Sequence, residues 1–142
     1  MISIFDVDGT LMNINHRRHL VTGDVKNWKE FKARTLFDQP YPHIHALAQK
    51  LSQSVTDTLF IVSGRNETER EVTEDQLRNI NYRELFMRPN DNFEPDHVFK
   101  KQILDYLREN GYEPDIVVDD RPQVVQMWRD EGIPVLDVGT WE

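Results

Sequence analysis

Two aspartates separated by one residue are the part of this sequence best suited to chemistry. They stand in Asp6-Val7-Asp8-Gly9-Thr10, directly after an apolar run that is typical of a short buried strand. Residues two apart on an extended chain point to the same side, so both carboxylates can face one small volume. Because such carboxylates repel each other unless a cation lies between them, the pair indicates Mg²⁺, with one group as nucleophile and the other as proton carrier. A polar turn after a strand is the plain alternative.

A second polar group follows residues 59–62, a continuous apolar run that is typical of a strand covered on both faces. It consists of Ser63, Gly64 and Arg65. A hydroxyl, a flexible glycine and a guanidinium at the carboxyl end of a strand suit phosphate binding. An ordinary turn explains the same three residues equally well.

The third and fourth groups are a pair of aspartates and a pair of lysines. Asp119 and Asp120 follow the apolar residues 116–118, and like charges side by side are unfavourable without a cation or a basic partner. Lys100 and Lys101 lie in the first turns of a predicted helix, where the helix dipole disfavours a cation. That position indicates a nearby anion or carboxylate, although solvated lysines are the default interpretation.

The rest of the sequence supplies the elements that must position these side chains. Strands are predicted from residue 2 and at 59–62, 84–89, 115–118 and 133–138, and helices at 25–36, 43–51, 66–80, 96–111 and 122–132, with Asp96 as the N-cap of the fourth helix. This alternation predicts one α/β domain over residues 1–142, with a mainly parallel sheet covered by helices on both faces. Sites in such sheets lie at the carboxyl ends of the strands, where Asp6, Ser63 and Asp119-Asp120 are expected to converge.

The composition limits the class of protein. Of the 142 residues, 38% are hydrophobic and 30% charged, as expected for a small, well-solvated globular domain. No apolar run is long enough to cross a membrane, no signal peptide is recognisable and no cysteine is present, which together favour the cytoplasm. The net charge of −8 argues against a protein that holds long nucleic acid by neutralising its phosphates.

Residues 12–40 form the least regular part of the chain. A small basic cluster at residues 16–19 precedes a predicted helix with Trp28, Phe31 and Thr35 on one side. Two interpretations are equally supported: a solvated turn followed by a surface helix, or a small cap over the site from which Arg17 reaches a phosphate.

The motifs together resemble those of the haloacid dehalogenase (HAD) superfamily of phosphohydrolases. They stand in order: Asp6-Val7-Asp8-Gly9-Thr10, then Ser63, then a lysine near position 100, then Asp119-Asp120. Over nearly the whole chain the sequence is similar to the 3′-phosphatase domain of phage-type polynucleotide kinase/phosphatase. That similarity rests on Val62-Ser63-Gly64-Arg65, on Asp96-x-Val98-x-Lys100 and on residues 119–129, whereas residues 18–40 show no match and no kinase P-loop motif occurs.

The resemblance implies a role for each motif residue. Asp6 would attack phosphorus to form an aspartyl-phosphate, and Asp8 would protonate the leaving oxygen and then deprotonate the hydrolytic water. Ser63 and Lys100 would hold the phosphoryl oxygens. The residues that would bind the phosphate or the adjacent nucleotide are Arg17, Ser63, Gly64 and Arg65, and Mg²⁺ would be held by Asp6, the Asp8 carbonyl and one of Asp119 and Asp120, with Asp120 preferred on register.

Three functions are compatible with these observations. The first is a Mg²⁺-dependent phosphatase for the 3′-phosphate ends of DNA or RNA, working in an end-repair pathway with a separate kinase or ligase. The second is a phosphatase of free nucleotides or small phosphorylated metabolites. The third is a catalytically inactive HAD-like module that binds a partner through its acidic surface, which the complete set of motifs disfavours.

Overall fold

A parallel sheet of five strands forms the centre of the computed structural model, which describes residues 1–139. The strands in chain order are β1 (Ile2–Phe5), β2 (Met12–Asn13), β3 (Gln39–Pro40), β4 (Thr58–Asn66), β5 (Glu84–Arg88), β6 (Ile116–Asp119) and β7 (Val135–Asp137). Five of them pair in the order β5-β4-β1-β6-β7, all parallel, so their carboxyl ends meet at one edge. The predicted α/β class with a parallel sheet is confirmed.

Helices cover both faces of this sheet. They are α1 (Asn15–Arg18), α2 (Trp28–Ala33), α3 (Pro42–Ser52), α4 (Arg70–Gln76), α5 (Asp96–Glu109) and α6 (Pro122–Asp130). One hydrophobic cluster includes Ile44 and Ala48 of α3, and the other includes Leu104 of α5 and Trp128 of α6. No helix within the described residues 1–139 has both the length and the apolar character needed to span a bilayer.

The apolar strand runs divide their side chains between these two clusters. Phe5 and Ile61 belong to the cluster with α3, whereas their chain neighbours Ile4 and Phe60 belong to the cluster with α5 and α6. Successive strand residues point to opposite faces, so a strand buried on both sides must be apolar at every position. This requirement explains the apolar runs, in which the buried Ser3 of β1 is a polar exception, and the polar side chains of the site follow toward the carboxyl edge.

Two predicted helices are shorter in the structure than in the prediction. The helix expected at residues 25–36 begins only at Trp28, because the side chain of Asn27 accepts a hydrogen bond from the Glu30 N–H and caps it there. A 3-10 turn, Thr35–Phe37, follows it, since the buried Thr35 hydroxyl donates to Glu69 at 2.6 Å. The helix expected at residues 66–80 is likewise a 3-10 turn, Glu67–Glu69, followed by α4.

Residues 12–40 form an insertion between β1 and α3, here termed the cap segment. Strands β2 and β3 pair antiparallel at its two ends, with Met12 opposite Pro40 and Asn13 opposite Gln39. The segment therefore leaves and rejoins the core at one place and carries α1 and α2 between. This arrangement agrees with the predicted small cap.

Candidate active site

Three buried carboxylates meet where β1 and β6 end. Asp6 follows β1, Asp119 is the last residue of β6, and Asp120 follows it. Each contributes an oxygen to a group whose members all lie within 4.8 Å of one another. The register explains the convergence, because Phe5 is paired with Val118 and the Asp6 N–H donates to the Val118 carbonyl at 3.0 Å.

A single lysine ammonium lies among these carboxylates. Lys100 Nζ of α5 donates to Asp6 Oδ1 at 2.7 Å and to Asp119 Oδ2 at 3.0 Å, and the residue is only 2% exposed. Burial lowers the pKa of Lys100, but Asp119 and Asp6 outweigh burial and raise it, so the ammonium stays charged. Lys101, by contrast, is a partly solvated side chain that pairs with Asp105. The structure therefore selects Lys100 of the two lysines.

The charge of this centre is unbalanced. The three carboxylates, the ammonium of Lys100 and the guanidinium of Arg18, which lies 4.0 Å from Asp120, together carry a formal charge of −1 when all are ionised. Burial first and the neighbouring Asp119 second raise the pKa of Asp6 well above its usual value, although Lys100 opposes them. A divalent cation with oxygen ligands would offset this charge, so the donor set fits Mg²⁺.

Asp119 and Asp120 differ in how their oxygens are used. Asp119 Oδ1 accepts from the Asp120 N–H at 2.8 Å, and its Oδ2 accepts from Lys100 and from Trp128 Nε1 at 3.1 Å. Asp120 Oδ1 lies 3.2 Å from the Thr10 hydroxyl, which is also 3.0 Å from Asp6 Oδ2. Asp119 is thus held by donors of the fold itself, whereas Asp120 faces the oxygens of Asp6.

Gly9 allows the chain to pass close to Asp120. Its φ is +82°, and a Cβ at this position would lie 2.0 Å from Asp120 Oδ2. A side chain is excluded both by the left-handed backbone and by the carboxylate. The glycine in the first motif therefore makes room for the acid that the last motif supplies.

Asp8 lies beside a second cluster of charged groups. Its Oδ1 accepts from Arg65 Nε at 2.8 Å and from Arg17 Nη2 at 3.2 Å. Both arginines also bind Asp38, which accepts from Arg17 at 2.8 and 2.7 Å and from Arg65 at 2.9 Å. Nothing in the local sequence pattern around Asp38 marks it as the partner of two arginines.

Arg17, which the sequence places in the cap as a candidate phosphate ligand, is buried beside Asp8. It is 1% exposed, its guanidinium is paired with Asp8 and Asp38, and the Phe31 ring lies 4.2 Å from its Cζ. Arg65 is 4% exposed and donates in addition to Thr73 and Gln76. Both guanidiniums therefore lie at the site, where they fix the position of Asp8.

Ser63, Gly64 and Arg65 lie in the last part of β4, which continues to Asn66 and does not end before Ser63 as the sequence predicted. The buried Ser63 hydroxyl accepts from the Arg65 N–H at 3.0 Å. A Cβ on Gly64 would lie 2.6 Å from Asp96 Oδ1, so this glycine lets α5 begin against β4. The strand end thus carries a hydroxyl close to the arginine that binds Asp8.

The prediction that Asp96 caps α5 is wrong. Pro95 occupies the N-cap position, and Asp96, the first helical residue, instead binds Arg88 and, at 2.7 Å, Arg121. Burial acts to raise the pKa of Asp96, but Lys100, Arg121 and Arg88 together hold it below the usual value. The residue joins β5, α5 and the start of α6 around the site.

A buried aspartate at the end of the first strand, a second aspartate two residues on, a serine, a lysine and an acidic pair converge on one edge of this sheet. Together with the fold, they define a phosphatase of the HAD type. The chain belongs to the family described as the polynucleotide kinase PNKP phosphatase domain, which it matches over residues 1–141.

Individual relatives agree with this assignment. One relative is a protein of Autographa californica nuclear polyhedrosis virus whose name describes a bifunctional polynucleotide kinase/RNA ligase. The two sequences are 26% identical over 134 residues, and the match covers 92% of this chain and 18% of that protein. A chain in the structure of the Pnkp1/Rnl/Hen1 RNA repair complex has a TM-score of 0.79 and 26% identity, over 98% of this chain and 43% of that one. This chain therefore spans less than half the length of either relative.

A more distant structure supports the fold alone. The haloacid dehalogenase-like hydrolase SP0104 from Streptococcus pneumoniae has a TM-score of 0.66 at 16% identity, over 96% of this chain and 83% of that one. At this identity the likeness shows a shared fold, whereas the polynucleotide relatives share more of the sequence.

Proposed function

We propose that this chain is a Mg²⁺-dependent phosphomonoesterase that removes terminal 3′-phosphates from polynucleotides. The observation that carries the proposal is the buried carboxylate of Asp6, held by Lys100 beside the second carboxylate of Asp8 in a member of a polynucleotide kinase phosphatase family. This arrangement supplies a nucleophile, a proton carrier and charge neutralisation around one point. Phosphoryl transfer depends chiefly on positioning and charge neutralisation.

The proposed reaction proceeds in two steps. In the first, a carboxylate oxygen of Asp6 forms a bond to phosphorus while the bond from phosphorus to the ribose 3′-oxygen breaks, and Asp8 gives its proton to that oxygen. In the second, Asp8 takes a proton from water, the water oxygen bonds to phosphorus and the aspartyl-phosphate bond breaks. Asp8 therefore ends protonated, ready for the next turnover.

The other site residues bind and orient the phosphoryl group. Lys100 is close enough to Asp6 to pair with a phosphoryl oxygen on that carboxylate, and Ser63 offers a hydroxyl at the same edge. Arg65 and Arg17 hold Asp8 at the leaving oxygen and offer positive charge to the phosphate or the adjacent nucleotide. Gly64 stands between Ser63 and Arg65, where the absence of a side chain lets Asp96 approach this end of β4.

We assign the metal ligands to Asp6, the main-chain carbonyl of Asp8 and Asp120. Asp120 is preferred to Asp119, because both oxygens of Asp119 already accept hydrogen bonds from Lys100, Trp128 and the backbone. Bound Mg²⁺ would supply charge neutralisation for the phosphoryl group. Asp119 then has the role of holding Lys100.

The relatives also suggest a biological setting. Their names describe a polynucleotide kinase/RNA ligase and an RNA repair complex. We therefore place this chain in nucleic-acid end repair, as one phosphatase domain over residues 1–142 that works with a kinase and a ligase. The phosphatase would convert a 3′-phosphate into the 3′-hydroxyl that a sealing reaction requires.

The alternative is a phosphatase of free nucleotides or small phosphorylated metabolites on the same core. The net charge of −8 favours it, because an acidic protein does not attract a polyanion over long range. Recognition confined to the terminal phosphate and its nearest nucleotides would be compatible with both the acidic net charge and the likeness to the polynucleotide relatives.

A substrate panel tests the proposal. The panel comprises 3′-phosphorylated and 5′-phosphorylated oligonucleotides, a nucleoside 3′-monophosphate and a sugar phosphate, each with Mg²⁺ and with a chelator. We expect release of phosphate from the 3′-phosphorylated oligonucleotide in preference to the others, loss of activity in chelator, and a higher Mg²⁺ requirement for Asp120→Ala than for the wild type. Faster turnover of the sugar phosphate or the mononucleotide would favour the metabolite phosphatase instead.

A further inference from the structure

The cap segment carries a positive charge in an otherwise acidic chain. Residues 12–40 contain six lysines and arginines against three acids, a net charge of +3, whereas the remaining residues contain 11 against 22, a net charge of −11. Within the segment, Arg17 and Asp38 neutralise each other in the interior. The other charged residues of the cap, five basic and two acidic, carry the whole net charge of +3.

An aromatic side chain lies among these exposed cations. Trp28 of α2 is 54% exposed, and its ring meets the Phe31 ring edge to face with the centroids 5.7 Å apart. Lys29 and Lys32 are exposed on the same short helix. Within residues 1–139, neither lysine makes a hydrogen bond or an ion pair, in contrast to Arg34, which is paired with Glu30.

This surface is connected directly to the catalytic acid. The Trp28 ring packs on Phe31, the Phe31 ring lies 4.2 Å from Arg17 Cζ, and Arg17 Nη2 donates to Asp8 at 3.2 Å. Asp8 is also the most exposed carboxylate of the site, at 26% of its side chain against 7% for Asp6 and 3% for Asp120. Solvent therefore reaches the site on the side of Asp8 and the cap.

The reaction places the polynucleotide on that same side. If Asp8 protonates the 3′-oxygen, as proposed above, the leaving group must lie next to Asp8. For a terminal 3′-phosphate, the leaving group is the whole of the nucleic acid, and its first nucleotides must then pass over the nearest exposed surface. The exposed Trp28 of α2, joined to Asp8 through Phe31 and Arg17, offers a surface on that side.

We propose that Trp28, Lys29 and Lys32 form a binding surface for the single-stranded nucleotides immediately 5′ of the terminal phosphate. This inference rests on the proposed function and adds the residues that recognise the polymer. A base would stack on the Trp28 ring, and the two lysines would pair with backbone phosphates, which is the combination that single-stranded nucleic acid binding requires. Because the surface is small, it contacts few nucleotides, in agreement with the acidic remainder of the chain.

A second exposed aromatic side chain shows what is specific to the cap. Phe93 is 90% exposed in the loop before α5, but Asp91 and Glu94 flank it. That loop repels phosphates, whereas the cap attracts them. Charge complementarity therefore selects α2 as the site for a polyanion.

The test compares two substrates in each variant. We measure kcat/KM for a 3′-phosphorylated oligonucleotide, as RNA and as DNA, relative to kcat/KM for a nucleoside 3′-monophosphate. Trp28→Ala should lower this ratio roughly 5- to 100-fold, the range expected for one lost stacking contact, and Trp28→Phe should restore most of it. Phe93→Ala and Lys50→Gln, which change an exposed aromatic and an exposed lysine elsewhere, should leave the ratio unchanged.

Salt dependence tests the lysines separately. The double variant Lys29→Gln/Lys32→Gln should reduce the steepness of log Kd against log salt by roughly 1.4, about 0.7 for each lost phosphate contact. The titration uses the Asp6→Asn background, so that the 3′-phosphorylated oligonucleotide is bound without being hydrolysed. An unchanged slope would contradict the proposal that Lys29 and Lys32 bind backbone phosphates.

The outcomes distinguish this inference from the function on which it rests. If the wild type hydrolyses no 3′-phosphorylated oligonucleotide, the proposed function fails. If it does so but Trp28→Ala and the double variant leave the ratio and the salt slope at wild-type values, only the inference fails. The exposed cap would then be a surface for a protein partner, and polymer recognition would lie elsewhere.

Discussion

Two clusters of buried charge lie side by side in this protein, and they differ in balance. The first, at the ends of β1 and β6, combines the carboxylates of Asp6, Asp119 and Asp120 with the ammonium of Lys100 and the guanidinium of Arg18. The second, at the base of the cap, pairs Asp8 and Asp38 with two guanidiniums, those of Arg17 and Arg65. One has an excess of negative charge, and the other is neutral.

This difference in charge balance corresponds to a difference in role: the unbalanced cluster is suited to the reaction, and the neutral cluster holds its members in position. A neutral buried network with satisfied hydrogen bonds needs no further ligand and serves to fix its members in place. The excess negative charge of an unbalanced centre is offset only when a ligand binds, here a divalent cation together with the phosphate that it helps to neutralise. Asp8 belongs to the neutral cluster and lies two residues from Asp6 of the unbalanced one, which suits a residue whose proton must be delivered at a defined position.

The largest expected effect comes from breaking the unbalanced cluster. Asp6→Asn keeps the shape of the side chain but removes the nucleophile, so turnover should fall to background, a loss of roughly 10⁴-fold or more. Because burial and Asp119 raise the pKa of Asp6, its ionisation is unfavourable in the fold. The variant should therefore remain as stable as the wild type without Mg²⁺ but lose stabilisation by Mg²⁺, as measured by Tm with and without the ion.

An exposed acid provides the matched control for this variant. Asp105→Asn removes a carboxylate of α5 that pairs with Lys101 at the surface, and it should change neither turnover nor the response to Mg²⁺. Retained turnover in Asp6→Asn would contradict the assignment of the nucleophile. If Mg²⁺ raises the Tm of Asp6→Asn as much as that of the wild type, Asp6 is not a metal ligand.

A substitution in the neutral cluster should chiefly lower the free energy of unfolding. Asp38 is 5% exposed, and Asp38→Asn leaves Arg17 and Arg65 with Asp8 as their remaining carboxylate partner. Removing one member of a buried ion pair costs about 3–5 kcal/mol. We expect a loss of this size in the free energy of unfolding, measured by urea titration, together with a lower kcat because Asp8 is held less firmly.

An ion pair on the surface of the same cap provides the reference for this loss in the free energy of unfolding. Glu30→Gln breaks the ion pair with Arg34 on α2, where both side chains are more than a third exposed, and should change the free energy of unfolding by less than about 0.5 kcal/mol. If Asp38→Asn costs no more than Glu30→Gln, the buried network does not hold the cap, and the contrast between the two clusters fails.

The unbalanced cluster was largely predictable from sequence, because its information is local. Each acid directly follows an apolar strand, and parallel strands bring their carboxyl ends together. The choice between Lys100 and Lys101, left open by position in the helix, was made by packing, since only Lys100 points at Asp6 and Asp119. The order of elements was likewise readable from the apolar periodicity.

The neutral cluster was not predictable in the same way. Asp38 lies 21 and 27 residues from its arginine partners and stands in no strand or long helix, so no periodic pattern points to them. Asp96 was predicted as a cap from its position before a helix, whereas the charges of Arg88 and Arg121 decide its role. Contacts that depend on how loops fold back on the core leave no trace in local sequence.

The smallest expected effect concerns the joint between the cap segment and the core. His45 of α3 is half-buried, and its Nε2 donates to the Leu11 carbonyl at 3.0 Å, just before the cap begins. Burial lowers the pKa of His45, although the hydrogen bond to Leu11 partly opposes that change. Below pH 6.5, the ordinary pKa, the unfolded chain therefore binds a proton that the folded chain resists, so stability should fall as the pH drops toward the folded value.

Two substitutions isolate this contribution. Gln at position 45 can still donate to the Leu11 carbonyl but does not titrate, so the stability of His45→Gln should fall less than that of the wild type between pH 7 and pH 5, measured by urea unfolding. His45→Ala loses the donor and should be less stable than His45→Gln at pH 7. If wild type and His45→Gln lose equal stability on acidification, the proton is taken up elsewhere, and the joint between cap and core is insensitive to pH.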